Sequence, residues 1–311
     1  MRYLIFYSII LVVGCNKKNE NKKMQTAENL KLKEIALDKQ FTYAISVTTY
    51  IPYELYINDI AAEKDYDSGS NAAIEMNPYL LGNGTHTIRL RLLPQMGKET
   101  IDVESYEMSH FELVKVIKNQ NGKGLKYDEE VMKLPLPPMT TPLPFIEMKW
   151  EVEIDDLPYQ LEGWSKSKAF KKEDSLVIMK QVVAYYEELR NILNIGDDKE
   201  WLERTKKRRE ETWSLMYKQK DKIKETLKKL KKTVTDECRN NMLPLEDYDL
   251  FFYAEGKILS LERRKTEEFE GYDANIKGWS PLIYNDDGGV YDMGIKIHMP
   301  LGSDTFEIIR K

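Results

Sequence analysis

The sequence predicts an α+β protein with two domains, an antiparallel β-sandwich followed by a domain in which helices precede a sheet. Between residues 41 and 155, apolar and polar side chains alternate with a period of two, most clearly at 88–92 and 146–154. From Asp174 the apolar period becomes 3.6, and after Pro244 it returns to two. These periods are those of half-buried strands and of helices with one buried face. Strands, then helices, then strands are typical of the α+β class.

Turn residues divide the first half of the chain into short strands. Further strands are predicted at residues 41–50, 54–58 and 111–117. Glycine, asparagine and aspartate separate them, as in Asn58-Asp59 and at residues 82–84. The order of a strand, a short cap and another strand over residues 52–92 resembles immunoglobulin-like and jelly-roll modules. This resemblance implies a sandwich and carries no binding residue across.

The second half begins with helices. An amphipathic helix is predicted from Asp174 to about Gly196, and a second one from about Lys199 to Asn241 that is either continuous, kinked or split. Strands follow at 248–254, 257–261, 294–299 and 305–309. In outline this order is similar to cystatin-like and nuclear-transport-factor-like folds, in which a sheet curls round a helix.

Composition changes mark the domain limits. Five of the twelve prolines lie in residues 135–144 and predict a stiff lead-in to the strand at Phe145, or alternatively a partner-binding motif. Residues 158–173 break both periods and are predicted to be a connector between a domain at 38–157 and one at 174–311. Limited proteolysis is expected to cut in this connector.

The N-terminus is predicted to carry a secretion signal. Met1-Arg2 precedes an apolar run, residues 3–13, that is too short to cross a bilayer and has the proportions of a signal-peptide core. Val12, Gly14 and Cys15 then resemble the bacterial lipobox, although Leu is more usual than Val12. The resemblance implies cleavage after Gly14 and lipidation of the Cys15 thiol. The alternative is an ordinary signal peptide with an incidental cysteine.

The anchor predicts a location. Residues 1–14 would be removed, and residues 15–37 would form the lipidated cysteine and a solvated tether, since 16–23 contain no apolar side chain. The membrane is therefore an expected partner, in the cell envelope. Asn16 after the cysteine favours the outer membrane if the host has one.

Motifs for chemistry are few. The sequence contains no G-x-S-x-G, H-E-x-x-H, C-x-x-C or phosphate-binding glycine loop, so no cofactor or metal is predicted. The net charge of −5 gives no reason to expect a nucleic-acid partner. Cys238 continues an apolar helical series and is predicted to be a buried core thiol.

Two groups of residues are candidate sites. Residues 199–232 carry fourteen basic and six acidic side chains, and Lys206, Lys207, Arg208 and Arg209 are candidates for an interaction surface. A solvated outer face and a contact with anionic lipid are the alternatives. His298 and Lys296 share one side of a predicted strand and are candidates for a pocket, with surface exposure as the other interpretation.

Two functional hypotheses follow. The first is a non-catalytic envelope lipoprotein that binds a protein, for example as an immunity-type inhibitor or as an assembly subunit. The second is a small-ligand binder or hydrolase that uses a pocket in the C-terminal domain. A deep polar cavity would favour the second, and a surface patch without one the first.

Overall fold

The computed structural model describes residues 30–118, 125–264, 267–269, 272–274 and 276–310. The predicted signal peptide, Cys15 and most of the predicted tether lie outside these residues. From Leu32 onward the chain forms one compact unit. Within it we distinguish a first lobe, residues 41–154, and a second lobe, residues 175–310. Among the described residues, no helix has the length and apolar character needed to cross a membrane.

In its described residues, the first lobe contains eight antiparallel strands. In chain order they are β1 (Phe41–Thr48), β2 (Tyr53–Ile57), β3 (Ile60–Asp65), β4 (Asn71–Glu75), β5 (Gly84–Leu92), β6 (His110–Lys118), β7 (Leu125–Lys133) and β8 (Ile146–Ile154). One sheet has the order β4-β1-β6-β7 and the other β3-β2-β5-β8. A short helix, α1 (Val103–Glu107), precedes β6.

Both sheets contribute to one hydrophobic core. Ile45 of β1, Leu55 of β2 and Ile88 of β5 are buried in the same cluster. Along β8 the apolar residues face this core, while the intervening Glu and Lys side chains are exposed. The predicted alternation of buried and exposed side chains is therefore confirmed, as is the α+β class.

The second lobe begins with helices. In chain order they are α2 (Ser175–Asn194), α3 (Asp198–Arg204), α4 (Lys206–Leu215) and α5 (Lys220–Lys232), and a π-helical turn follows at Thr233–Cys238. The predicted second helix is thus split. The break between α4 and α5 contains Tyr217, whose φ is +53°. The Tyr217 hydroxyl donates to the Phe41 carbonyl at 2.5 Å, so a contact with the first lobe accompanies the break.

Eight short strands follow in the described part of the second lobe. They are β9 (Tyr248–Tyr253), β10 (Ile258–Arg263), β11 (Glu267–Phe269), β12 (Tyr272–Ala274), β13 (Ile283–Asp286), β14 (Gly289–Asp292), β15 (Lys296–His298) and β16 (Glu307–Ile309). Four of them form an antiparallel sheet in the order β16-β15-β10-β9. The others pair as two hairpins, β11–β12 and β13–β14.

The four-stranded sheet of the second lobe is covered on both sides. Leu259 and Ile297 share a core with Val182 and Leu189 of α2. The opposite face includes Tyr253, Ile258 and Ile309, which belong to the core of the first lobe. Because strand residues alternate between faces, one side of this sheet packs on α2 and the other on the first lobe.

A buried arginine joins the two lobes. Arg310, which is 0% exposed, donates from Nε to the Pro78 carbonyl and from Nη2 to the Leu80 carbonyl, each at 3.0 Å. Its Nη1 pairs with the Glu211 carboxylate of α4. Its guanidinium carbon lies 4.7 Å from the centroid of the Trp164 ring. Burial lowers the pKa of Arg310, and the Glu211 carboxylate acts in the opposite direction.

The connector, residues 158–173, is packed against both lobes. Tyr159, Trp164 and Ser167 are buried. Leu161 donates its backbone N–H to Leu81 of the first lobe, and Lys168 donates to Met299 of the second. Independent unfolding of domains on either side of the connector stays a prediction.

Cys238 is a buried core thiol, as predicted. It is 0% exposed in the core of the second lobe. Burial raises the pKa of the thiol to about 12, with smaller contributions from Glu237 and Asp286. The thiol is therefore protonated at neutral pH and poorly nucleophilic.

Candidate functional site at the lobe junction

The face of the second sheet that meets the first lobe carries polar side chains. Ser260 and Glu262 of β10 alternate with the apolar residues that face α2. On β15 and β16, His298 lies directly opposite Glu307. Since the first lobe and the connector cover this face, its polar groups depend on partners within the chain.

His298 is buried, with 1% of its surface exposed, so the interpretation of surface exposure was wrong. The reason is the connector, which pairs with the strand end through a bridge between Ser167 and Pro300. The Ser167 hydroxyl lies 2.7 Å from His298 Nδ1. His298 Nε2 lies 3.6 Å from Glu307 Oε2, beyond hydrogen-bond range. Lys207 Nζ lies 3.2 Å from the same Glu307 oxygen.

A serine, a histidine and a carboxylate in this order are the parts of an activated nucleophile. Here both the serine and the imidazole are closed to solvent. Burial, followed by the positive charge of Lys207, lowers the pKa of His298 to about 4, against an ordinary value of 6.5. At neutral pH the arrangement is therefore a neutral imidazole that fixes the connector to the sheet.

A second polar cluster surrounds Lys64 of β3. Its ammonium lies 2.5 Å from Glu262 Oε2, and both side chains are buried. The Tyr253 hydroxyl donates to the other Glu262 oxygen at 2.5 Å. The Lys64 ammonium also lies 4.4 Å from the centroid of the Phe251 ring. Burial raises the pKa of Tyr253, and the Glu262 charge raises it further, so its hydroxyl stays a donor.

Lys296, the second candidate pocket residue, borders this cluster. Its ammonium lies 5.6 Å from the centroid of the Tyr253 ring. Lys296 and His298 are thus on the same sheet face, as predicted from alternation, but they contact different groups. The structure brings His298 to Ser167 and Lys296 to Tyr253.

The Lys64 cluster adjoins a solvent-open groove of about 340 Å³, because Phe251 and Tyr253 belong to both. We call it the junction groove, because both lobes and the connector line it. Its lining residues are Tyr56, Asp59, Arg89, Phe170, Lys172, Phe251, Phe252, Tyr253, Glu255 and Gly256. The walls are aromatic, and charges of both signs lie among them.

Arg89 is held in place beside this groove. Its guanidinium carbon stacks 3.8 Å from the centroid of the Tyr56 ring. Its Nη2 and Nη1 lie 3.3 Å from carboxylate oxygens of Asp59 and Glu147 respectively. The Tyr56 hydroxyl in turn donates to Glu54 at 2.8 Å. The tyrosine and the arginine therefore have fixed orientations before any ligand arrives.

Two left-handed turns meet at the groove. The turn between β2 and β3 has Asp59 at φ +59°, and the turn after β9 has Ala254 at +49° and Glu255 at +58°. Left-handed backbone is unfavourable for Ala and Glu. At Gly256 a Cβ atom would come within 2.1 Å of the Phe170 carbonyl oxygen, so a side chain does not fit. Strained backbone of this kind tends to cluster at functional sites.

The four candidate basic residues at 206–209 have different surroundings. Lys207 pairs with Glu307, and Arg208 donates to the Gly294 carbonyl at 2.7 Å. Arg209 is buried and donates to the Leu202 carbonyl. Lys206 is half-exposed. Three of the four thus have partners within the fold, and their role in binding a protein stays a prediction.

Another groove, of about 520 Å³, lies in the first lobe between residues 106–112 and 133–140. Part of the proline-rich segment forms one wall, and the Tyr106 hydroxyl donates to the Pro137 carbonyl at 2.6 Å. The proline-rich segment is therefore packed on the lobe as it leads to β8.

Sequence reasoning missed the residues of the junction groove. The only local signal was the run Phe251-Phe252-Tyr253, which alternation alone assigns to a strand with two apolar faces. Ser167 contacts His298, 131 residues away in the chain, and Lys64 contacts Glu262, 198 residues away. Patterns among neighbouring residues do not predict such distant contacts.

Comparison with known proteins gave no match among family models, curated proteins or solved structures. In the part of the chain that the structure describes, no group of three or more His, Cys, Asp or Glu side chains is arranged to hold a metal ion.

His298 should make stability depend on pH. Its folded pKa, about 4, lies below the ordinary value of 6.5, so the unfolded chain takes up the proton first as the pH falls. Between pH 7 and pH 5 this residue should remove about 2 kcal/mol from the free energy of unfolding. Urea unfolding of the wild type and of His298→Gln at both pH values measures the difference, which should be smaller in the variant.

His110→Gln is the matched control, because His110 is exposed on the first lobe. It should keep the wild-type dependence on pH. An unchanged pH dependence in His298→Gln would show that His298 is not buried as a neutral group.

Proposed function

We propose that this protein is a lipid-anchored lipoprotein of the cell envelope whose folded part binds another protein and catalyses no reaction. The observation that carries the proposal is the junction groove, a solvent-open seam where the partly exposed Arg89 and Phe251 stack on the buried Tyr56 and Tyr253. Tyrosine and arginine are enriched among the residues that dominate binding energy at protein interfaces.

The groove suits a protein segment with apolar anchors. Phe251 and Tyr253 stack with their ring planes 12° apart and their centroids 6.2 Å apart. Asp59, Arg89, Lys172 and Glu255 provide charges of both signs beside the aromatic surface. A rigid aromatic centre with polar groups around it is the usual anatomy of a protein interface. An immunity-type inhibitor and an assembly subunit are both compatible with such a surface.

The second candidate function is a small-ligand binder or hydrolase. The Ser167–His298 contact favours it, since it pairs a hydroxyl with an imidazole. A nucleophile must reach its substrate, and both of these side chains are buried. We therefore favour binding through the exposed groove.

We also propose a more specific fold type for each lobe. Two four-stranded antiparallel sheets around one core support an immunoglobulin-like or jelly-roll type for the first lobe. In the second lobe, the packing of α2 on a four-stranded sheet supports a cystatin-like or nuclear-transport-factor-like type.

Lipidation of Cys15 is the first test. Cells expressing the wild type should incorporate a labelled fatty acid into the protein, and the protein should fractionate with the membrane. Cys15→Ser should lose the label because it lacks the thiol that accepts the lipid. A wild type that takes up no label would contradict the proposed anchor.

Partner capture from envelope extracts is the second test. Substituting Arg89 and Lys172 with Ala should reduce capture at least tenfold, since losing one anchor residue at an interface typically costs more than about 1.4 kcal/mol. The matched control is Lys149→Ala, because Lys149 is exposed on the neighbouring strand and lies outside the groove.

Lys206→Glu separates the helical candidate surface from the groove. This change leaves the intrachain contacts of Lys207, Arg208 and Arg209 in place. If capture of the partner depends on Lys206 and not on Arg89, the interface lies on α4 and not at the junction groove. Turnover of a lipid, peptide or glycan that is lost in His298→Ala would contradict the non-catalytic proposal.

A further inference from the structure

The helix α5 is strongly basic and carries an unusual charge pattern. Its thirteen residues include seven lysines and two carboxylates. Three of the lysines form ion pairs, one with a carboxylate outside the helix and two with a carboxylate on it. Glu34 pairs with Lys220, and Glu225 lies 3.7 Å from Lys222 and 3.1 Å from Lys229. These lysines lower the pKa of both carboxyl groups.

The other four lysines share one side of the helix. They are Lys224, Lys228, Lys231 and Lys232. At about 100° per residue they fall within an arc of about 100°. No carboxylate of the described residues pairs with any of them. The structure therefore presents a stripe of four unneutralised ammonium groups, which we call the lysine stripe.

The apolar side of α5 points elsewhere. Ile223, Leu227 and Leu230 lie on an adjacent side of the helix, and Leu230 packs on the core of the second lobe. None of the three is fully exposed. The lysine stripe therefore offers charge and not an apolar face, which fits a surface of negative headgroups and not insertion into the hydrocarbon.

The chain enters the fold beside this helix. The Lys33 backbone N–H donates to the Ser214 hydroxyl at the end of α4, and Glu34 pairs with the first residue of α5. Sixteen residues separate Cys15 from Leu32. If these residues form the solvated tether that their composition predicts, a coil of sixteen residues would span about 22 Å on average, which is close to the length of α5 itself. An anchor at Cys15 would thus hold α5 near the bilayer.

We infer that the lysine stripe of α5 lies against the anionic headgroups of the membrane in which the protein is anchored. The inference rests on the proposed lipid anchor for its geometry and on α5 for its charge. Basic residues next to a membrane are attracted to anionic lipid, and the attraction is screened by salt. The contact would fix the orientation of the folded part on the membrane, where a tether alone leaves it free to rotate.

Amine labelling of the intact protein, purified from the cells that express it, tests this contact residue by residue. The protein is bound to vesicles of phosphatidylcholine alone or of phosphatidylcholine with phosphatidylglycerol, and mass spectrometry follows the acetylation of each lysine. The lysine stripe should label about tenfold more slowly on the anionic vesicles, because each lysine adds to the attraction. In 1 M salt the two rates should become equal.

Internal controls are available on the same chain. Lys98, Lys133, Lys149 and Lys171 are exposed on other elements and should label equally on both vesicles. A variant with Gln at the four stripe positions should also lose the preference of the protein for anionic over neutral vesicles. The matched variant with Gln at the four control positions should keep it.

The outcomes separate the two proposals. Equal labelling of the stripe on both vesicle types overturns the inference, as does protection that appears only when an acidic protein is added. Flotation with neutral vesicles reports the lipid anchor independently of α5. Protein that floats only with anionic vesicles, and with a protected stripe, would contradict the anchor and support only the contact between the stripe and anionic headgroups.

Discussion

The structure depends on the burial of one arginine at the seam between its lobes. Arg310 is fully buried, and three separate segments supply its partners: the Pro78 and Leu80 carbonyls, the Glu211 carboxylate and the Trp164 ring. A buried guanidinium without partners would be very costly, so these segments have to meet in one arrangement. Glu211 is fixed further, since the Gly163 N–H donates to its other oxygen at 3.3 Å.

This constraint explains why the sheet of the second lobe has a polar face. That face is an internal surface between two lobes, and charged pairs such as Lys64 with Glu262 occupy it. Buried pairs of this kind contribute little net stability compared with apolar packing, but they penalise any other alignment of the lobes. The junction groove lies at the edge of the same seam, so the relative position of the lobes sets its shape. A rigid site of this kind loses little conformational entropy on binding.

Local patterns predicted much of the fold. The period of two located β5 and β8, the period of 3.6 located α2, and the apolar series placed Cys238 in a core. Long-range contacts were beyond these patterns. Alternation put Lys296 and His298 on one side of β15, but it could not report that a connector 131 residues away covers His298. The sequence also did not indicate that Arg209 and Arg310 are buried, because arginine is mostly a surface residue.

Equilibrium unfolding of Arg310→Met, Glu211→Met and the double variant tests the central role of this pair most directly. Each single variant should lose about 3–5 kcal/mol of unfolding free energy, because it leaves a charged partner in a buried site. The double variant should lose clearly less than the sum of the two, since it removes both charges together. Losses below about 1 kcal/mol in the single variants, or losses that simply add, would contradict the claim that this ion pair holds the lobes in place.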